Sequence, residues 1–399
     1  MEEKGSQAAE LQQVIEKYNK NDPSSCMRLE DALEKVRREL VESLVLPRIL
    51  ERIEDNINPQ QTVNNVCIVV ALEMGLFKTL AANEGKSLTA EDLSKATGYN
   101  VGLIARVMRV ITAIGFANET GYQTYTANGC TLAQNNPGNI GGLIISNDIV
   151  FPVASRIRQY LQQNKPVDVS QTPPAYDFAM GETIWQTLAK DTEWKTGFDD
   201  NMTARNKTLS VPWHLKYPIG EMLSAGSLSA KPIIVDVGGN QGVDLQRFAD
   251  TFPDLECELI LQDLPETIAG IPGQLDSRIK PTAHDFFTEQ TAKGADIYYL
   301  KSILHDWDDV ASRKILSNVA KVMQPHSRLL INEMILADVN ESMIRSNMDM
   351  LMLFFTNGME RTQTQWNKLL ATVEPPLKLV QVWSATGDQQ CVIETCLAE

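Results

Sequence analysis

Two patterns of apolar and polar positions divide this chain near Lys231. Up to that point most apolar residues recur at helical spacing. Residues 1 to about 60 carry an apolar stripe from Leu29 to Leu44, which predicts one or two amphipathic helices. Residues 64–80 contain too few polar side chains for a solvated surface helix, so we expect this segment to be buried. A second subunit is one candidate for the surface against which it packs.

The residues after this segment are predicted to form a helix, a turn, a second helix and a hairpin, in that order. Thr89 is placed to cap a helix that ends near Ala96, and a second helix is predicted from Val101 to about Ile114, before two short β-prone runs. This is the order of a winged helix, a motif that often binds DNA. On the second helix only Arg106 and Arg109 could contact a nucleic acid, so a packing or dimerisation role is favoured.

After Lys231, short apolar runs alternate with amphipathic stretches such as residues 312–322. This alternation is typical of a parallel sheet covered by helices on both faces, so we predict an α/β fold with a doubly wound, mostly parallel, Rossmann-like sheet. The predicted parallel strands are Ile233–Val237, Glu258–Gln262, Asp296–Lys301 and Arg328–Glu333. The last two runs, Leu377–Trp383 and Gln390–Leu397, are so close in sequence that they predict an antiparallel hairpin at the sheet edge.

These patterns predict three segments. An N-terminal helical and winged-helix dimerisation domain covers residues 1–130, a helical bridge covers residues 131–230, and the sheet domain covers residues 231–399. A length of 399 residues agrees with more than one domain.

Composition and charge exclude several classes of partner. With 51 acidic against 36 basic residues, the formal charge is −15, a field that repels nucleic acids and anionic membranes. There is no run of about 18 consecutive apolar residues and no basic leader, so we expect no membrane partner and a cytoplasmic location. The six cysteines form no CxxC pair and the four histidines have no metal-ligand spacing, so reduced thiols and no metal are expected.

A glycine-rich turn carries the strongest local signal. Gly238, Gly239 and Gly242 follow the apolar run Ile233–Val237 and precede a helical stretch, where backbone N–H groups can approach a ligand. The GGxxG spacing favours a nucleoside cofactor over a dinucleotide. Asp263 ends the next predicted strand, where a carboxylate can accept hydrogen bonds from both ribose hydroxyls.

From about residue 60 to the carboxyl end, the chain resembles the S-adenosylmethionine-dependent small-molecule O-methyltransferases of plant phenolic and fungal secondary metabolism, which have a class I methyltransferase domain. Six blocks carry the resemblance in order: 235–242, 261–265, 284–287, 300–307, 331–336 and 358–362.

The resemblance implies S-adenosyl-L-methionine as cofactor and a homodimer as the working assembly. It assigns cofactor binding to the glycine turn and Asp263, with Asp285 and Phe286 at the adenine end, Lys301 as a further cofactor contact and Trp307 near the adenine ring.

Catalysis is assigned to His305. A neutral imidazole with an ordinary pKa near 6.5 can remove a hydroxyl proton at physiological pH. The resemblance places Glu333 and Glu360 beside this imidazole, where they would fix its tautomer and stabilise the imidazolium. Met202 and Asn357 are implied as substrate contacts, and the Met-rich stretch 347–358 suits an aromatic or polyketide-like acceptor or, equally, core packing or a dimer contact.

The expected reaction is therefore metal-independent methyl transfer to a hydroxyl of a small aromatic or polyketide-like metabolite. The alternative is a pericyclase or dehydratase with the methyltransferase fold, which uses the cofactor without consuming it. At least one member of that kind departs at the histidine of the His-Asp-Trp block, whereas His305, Glu333 and Glu360 are all present here.

Overall fold

The structure is a computed structural model that describes residues 59–398, apart from 166–170, 209–210, 225–228, 230, 272 and 387. The amphipathic helices predicted near the amino end lie outside the described residues. The chain divides into two compact units: Met1–Asp148 with Thr196–Ala204, and Ile149–Lys195 with Arg205–Glu399. The stretch 131–230, predicted as one bridge, is therefore shared between both units.

Helices and strands are numbered in chain order over the described residues. The helices are α1 Pro59–Glu73, α2 Leu76–Ala81, α3 Ala90–Thr97, α4 Val101–Ala113, α5 Gly129–Ala133, α6 Pro137–Ile145, α7 Phe151–Gln163, α8 Ala175–Met180, α9 Ile184–Lys190, α10 Thr192–Thr208, α11 Trp213–Lys216, α12 Ile219–Ser224, α13 Val243–Thr251, α14 Pro265–Ala269, α15 Asp309–Ala320, α16 Met343–Thr356 and α17 Gln363–Ala371. The strands are β1 Leu88–Thr89, β2 Asn118–Gly121, β3 Thr124–Thr126, β4 Ile233–Val237, β5 Glu258–Asp263, β6 Ile279–Ala283, β7 Ile297–Lys301, β8 Arg328–Leu336, β9 Arg361–Thr362, β10 Leu377–Trp383 and β11 Gln390–Leu397.

The first unit contains the predicted winged helix. Thr89 caps α3 in a capping box with Asp92, because its hydroxyl accepts from the Asp92 N–H and the Asp92 carboxylate accepts from the Thr89 N–H. Helix α4 follows, and β1, β3 and β2 form a three-stranded antiparallel sheet in that order. The segment 64–80, which the sequence predicted to be buried, forms parts of two helices, because Gly75 with a φ of 68° separates α1 from α2.

Glycines bring two helices of this unit unusually close. A Cβ added to Gly141 would clash with the carbonyl of Gly197, and one added to Gly138 would lie 2.9 Å from the carbonyl oxygen of Asp200. Across this contact, the Asn201 amide donates to the Gly138 carbonyl at 2.8 Å. Glycine is thus required where α6 meets α10.

One helical segment of the described chain, Pro137–Gln163, is long and apolar enough to cross a membrane when judged by length and composition only. It has 27 residues and a peak mean hydropathy of 1.3, although it includes polar and charged side chains. Only 17% of this window is buried, but length and composition alone do not show that a helix enters a membrane, so the expected absence of a membrane partner stays a prediction.

An eight-stranded sheet forms the centre of the second unit. Its strand order is β10-β11-β8-β7-β4-β5-β6, and the short β9 pairs with β8. Strands β4 to β8 are parallel, whereas β11 runs antiparallel to both β8 and β10. The predicted doubly wound, mostly parallel sheet with an antiparallel edge hairpin is confirmed.

Both faces of this sheet are buried. On β4, Ile234 joins a core with Trp213 and Phe248, while the next residue, Val235, joins a core on the opposite face with Leu316 and Trp366. This arrangement leaves the carboxyl ends of β4, β5, β7 and β8 as the edge where loops carry the candidate site residues.

Candidate active site

The turn after β4 has no room for side chains at its three glycines. A Cβ on Gly239 would lie 2.5 Å from the Asp236 carboxylate, and one on Gly238 would lie 2.6 Å from Ile303 Cδ1. Gly238 and Gly242 also have φ values of 74° and 76°. The backbone can therefore approach a bound group here only because these positions are glycine.

Asp263 is held in place at the end of β5 by two backbone groups. Its Oδ2 accepts from the Asn240 N–H of the glycine turn, and its Oδ1 accepts from the Leu264 N–H, both at 2.8 Å. A carboxylate has about four acceptor positions, so capacity remains for two ribose hydroxyls. The geometry fits the cofactor role that the sequence suggested.

Lys301, at the end of β7, forms an ion pair with Asp244 at the start of α13. The Nζ–Oδ2 distance is 2.9 Å, and the two side chains are only 8% and 11% exposed. The sequence reasoning missed Asp244, whose partner lies 57 positions away. This contact orients the ammonium group at the same sheet edge as the glycine turn.

An aromatic cluster gathers the residues expected at the adenine end. Trp307 contacts Phe286 edge-on with ring centroids 6.3 Å apart, and it contacts Phe287 at 4.8 Å. The Asp285 carboxylate accepts from the Phe287 N–H, which fixes the loop after β6. A Cβ on Gly238 would lie 3.7 Å from Phe286, so this cluster adjoins the glycine turn.

His305 lies on a 3-10 turn, Leu304–Asp306, just after β7. The turn is fixed from β8, because Glu333 Oε1 accepts from the N–H groups of Ile303 and Leu304, each at 2.9 Å. A second anchor is the His305 carbonyl, which accepts from the Met359 N–H at 2.9 Å. The imidazole is thus positioned by backbone contacts on both sides of its turn.

Two buried carboxylates face the Nδ1 edge of this imidazole. Glu360 Oε1 lies 2.8 Å from His305 Nδ1 and Glu333 Oε2 lies 3.9 Å from it. The second oxygens, Glu333 Oε2 and Glu360 Oε2, are buried without a hydrogen-bond partner among the described residues. Since Nδ1 donates to Glu360, the Nε2 atom is the one left for an acceptor; its nearest charged neighbour is Asp306, at 3.8 Å.

The pKa of His305 differs from the ordinary value assumed in the sequence reasoning. Burial by itself lowers this pKa, but the charges of Glu333, Asp306 and Glu360 outweigh burial and raise it to about 10. Burial, together with the charge of Glu360, raises the pKa of Glu333 to about 7. The free chain therefore holds an imidazolium between acidic groups at neutral pH.

His305, Glu333 and Glu360 also form a possible metal ligand set, since one ligand atom from each lies within 4.8 Å of the others. The 2.8 Å separation of Nδ1 and Glu360 Oε1 is a hydrogen-bond distance, shorter than the spacing of two ligands about 2.1 Å from one ion in a tetrahedral site. With this spacing, the three side chains are suited to holding a proton between the imidazole and a carboxylate.

The two residues implied as substrate contacts are found in different units. Met202 lies on α10 in the first unit, with a half-buried side chain. Asn357 ends α16 in the second unit with a φ of 59°, and its amide donates to the Thr172 carbonyl at 2.6 Å. For Asn357 this contact indicates at least a structural role, and both substrate assignments stay predictions.

Two residues beside the cluster of His305, Glu333 and Glu360 were missing from the predicted site. Gly358 has no room for a side chain, because a Cβ there would clash with the His305 carbonyl. Arg361 is a buried arginine whose guanidinium donates to the Leu304 carbonyl, one residue before His305. Both residues lie in the block 358–362, which carries part of the family resemblance, but their contacts depend on the tertiary fold.

An O-methyltransferase domain family matches residues 160–373, and an O-methyltransferase dimerisation domain family matches residues 60–132. The chain belongs to the O-methyltransferase family. It is an S-adenosylmethionine-dependent enzyme of the class I methyltransferase fold with an N-terminal dimerisation domain.

Named relatives of this O-methyltransferase are fungal. It is 28% identical over 329 residues to demethylsterigmatocystin 6-O-methyltransferase of Aspergillus parasiticus, covering 81% of this chain and 83% of the relative. Among solved structures, OxaC in complex with S-adenosylhomocysteine and oxaline is 27% identical, with a TM-score of 0.77 over 99% of this chain and 98% of the other. An enzyme described as a pericyclic reaction enzyme has a TM-score of 0.80 at 24% identity over the full length of both chains, which shows a shared fold.

Proposed function

We propose that this O-methyltransferase methylates a hydroxyl of a small aromatic or polyketide-like secondary metabolite, with His305 as the general base. The observation that carries the proposal is the 2.8 Å contact between His305 Nδ1 and Glu360, which leaves Nε2 to meet the acceptor hydroxyl. The fungal relative named as a demethylsterigmatocystin 6-O-methyltransferase supports O-methylation of a small metabolite.

The cofactor would be held at the carboxyl edge of the sheet. When bound, S-adenosylmethionine supplies an electrophilic methyl group. The glycine turn would contact it through backbone N–H groups, Asp263 would accept from the ribose hydroxyls, and Phe286 with Trp307 would enclose the adenine. Lys301 would contribute a fixed positive charge at the same edge.

The electrostatics of the cluster suit proton removal from a phenol. A phenol hydroxyl has a pKa of about 10, and the surrounding carboxylates raise the pKa of His305 to about 10 as well. Transfer of the proton from hydroxyl to neutral imidazole is then nearly balanced in free energy. Glu360 would hold the ring in place and stabilise the imidazolium that forms when the acceptor hydroxyl loses its proton.

Replacement of His305 tests this proposal. We expect His305→Ala to lower kcat by about 10²- to 10⁴-fold, because the acceptor proton then has no base, while cofactor affinity remains close to that of the wild type. A phenol that is already ionised at the assay pH should partly restore turnover. His326→Ala, at an exposed histidine, is the control and should leave turnover unchanged. Near-normal methylation of an un-ionised acceptor by His305→Ala would refute the base assignment.

A further inference from the structure

Arg361, the residue after Glu360, contacts the backbone on both sides of His305. Arg361 is 1% exposed, and its guanidinium donates to the carbonyls of Leu304 and Trp307 at 2.8 and 2.9 Å. These two carbonyls lie on either side of His305. The same guanidinium donates to Ser312 Oγ at 3.0 Å and pairs with Asp309 at 2.9 Å.

Four consecutive residues thus contact one turn. Gly358 packs against the His305 carbonyl, Met359 donates its N–H to that carbonyl, Glu360 binds the imidazole, and Arg361 binds the flanking backbone. Glu360 is itself fixed from α16, because its N–H donates to Asp349 at 2.9 Å. The position of the imidazole relative to its carboxylate therefore depends on how Arg361 joins segment 358–361 to the turn.

We propose that Arg361 is a positioning residue for the general base: its fork-shaped guanidinium fixes the distance between the His305 imidazole and Glu360 and Glu333. A guanidinium presents several N–H donors in a rigid plane, whereas the ammonium of lysine cannot reproduce this geometry. Arg361 does not touch the reacting atoms in this arrangement. This inference rests on the proposed role of His305 as base.

The direction of the change in the His305 pKa separates positioning from a simple charge effect. The charged groups facing His305 are Glu333 from β8, Glu360 from segment 358–361, Asp306 from its own turn and, behind Glu360, Asp349 from α16. If the imidazole moves away from these carboxylates, its pKa falls. Loss of a nearby positive charge alone would raise the pKa instead.

Histidine-selective NMR titration of the whole protein provides the test, since the chain has only four histidines and His305→Asn identifies the signal. We expect the His305 pKa to fall by about one unit or more in Arg361→Lys, which keeps the charge, and also in Arg361→Met. The value of kcat should fall by about tenfold or more in Arg361→Lys while the pH at half-maximal rate moves down with the pKa. Ser312→Ala removes one partner of the guanidinium and also the 3.3 Å contacts of the Ser312 hydroxyl with the Leu304 and Trp307 carbonyls. It should shift the pKa in the same direction by less, and it serves as the measurement if both Arg361 variants fail to fold.

Arg278→Lys is the matched control. Arg278 also donates to several backbone carbonyls, those of Ala249, Phe252 and Leu255, and pairs with Asp276, away from the catalytic turn. It should lose stability without a change in the His305 pKa. An unchanged His305 pKa in the folded Arg361→Lys and Ser312→Ala variants, or a rise in Arg361→Met, would overturn the proposal. Because the titration needs no methyl transfer, this failure is distinct from failure of the proposed function.

Discussion

At the scale of single residues, the charges around His305 determine how readily its imidazole gains or loses a proton. Three carboxylates raise the pKa of the imidazole to about 10 although burial opposes this, so a small fraction is neutral at pH 7. The same carboxylates make the neutral form a strong base. An acceptor hydroxyl with a pKa near 10 is matched to it.

Replacement of Glu360 should move the pH dependence in a defined direction. In the wild type, kcat/KM for an un-ionised acceptor should rise with pH above neutrality instead of levelling near 6.5, because the base is freed only as His305 loses its proton. Glu360→Gln removes a negative charge 2.8 Å from Nδ1, so the pKa of His305 falls, the profile shifts to lower pH, and the maximal rate falls because the imidazolium is less stabilised.

A pH series of kcat/KM for wild type and Glu360→Gln makes this measurement. The exposed Glu374→Gln is the control and should keep the wild-type profile. A wild-type profile that levels near pH 6.5, or a Glu360→Gln profile displaced to higher pH, would contradict the electrostatic account.

At the scale of elements, the site depends on turns that follow parallel strands. The turn after β4 brings the Asn240 N–H to Asp263 at the end of β5, and the turn after β7 brings His305 to Glu333 on β8. Adjacent parallel strands end at one edge, so residues far apart in sequence converge there.

Asp263→Ala should weaken S-adenosylmethionine binding by about 1.5 to 3 kcal/mol, the usual cost of losing hydrogen bonds to a charged group. The variant also loses the contact that holds the glycine turn. Calorimetry on the folded variant measures the change, with the exposed Asp254→Ala as the control. Unchanged affinity in Asp263→Ala would mean that the cofactor is held elsewhere.

The elements themselves differ in how well the sequence predicts them. The buried strands and the edge hairpin agree closely with the predictions, because their apolar runs are bounded by turn residues. Strand β6 was not predicted, since Pro281 and exposed polar residues give it no apolar run, as suits an edge strand. The break at Gly75 was missed because its neighbours are apolar on both sides.

The residues of the candidate site also differ in how well the sequence predicts them. The glycines and Asp263 can be assigned from local pattern, because each follows directly after a strand. The ion pair of Asp244 with Lys301 and the contacts of Arg361 with the His305 turn join residues more than 50 positions apart. No periodicity or local motif encodes such contacts.

At the scale of the whole molecule, each unit leaves apolar helix surface uncovered. On α1, Val63 and Val66 are 54% and 40% exposed. Helix α16 has no buried residue, and its apolar side chains Met343 and Ile344 are 62% and 59% exposed. Apolar surface of this kind commonly marks a protein contact. Together with the matched dimerisation domain, it supports the proposal that the enzyme works as a homodimer.

Light scattering should therefore give about twice 44.4 kDa at micromolar concentration. Introduction of charge on α1 by Val63→Lys should shift the equilibrium toward monomer, whereas Lys78→Gln on α2 serves as a surface control. A fully active monomeric wild type would contradict the dimer proposal.

We expect this enzyme to transfer a methyl group and not merely to retain the fold and cofactor of enzymes that do. The direct test is mass spectrometry of reactions with trideuteromethyl-labelled S-adenosylmethionine across a panel of phenols and polyketides. An acceptor should gain the labelled methyl group with one S-adenosylhomocysteine formed for each product, and His305→Ala should form both about 10²- to 10⁴-fold more slowly with an un-ionised acceptor. A true substrate that is converted without gaining the label and without release of S-adenosylhomocysteine would contradict this expectation and would favour a pericyclase or dehydratase.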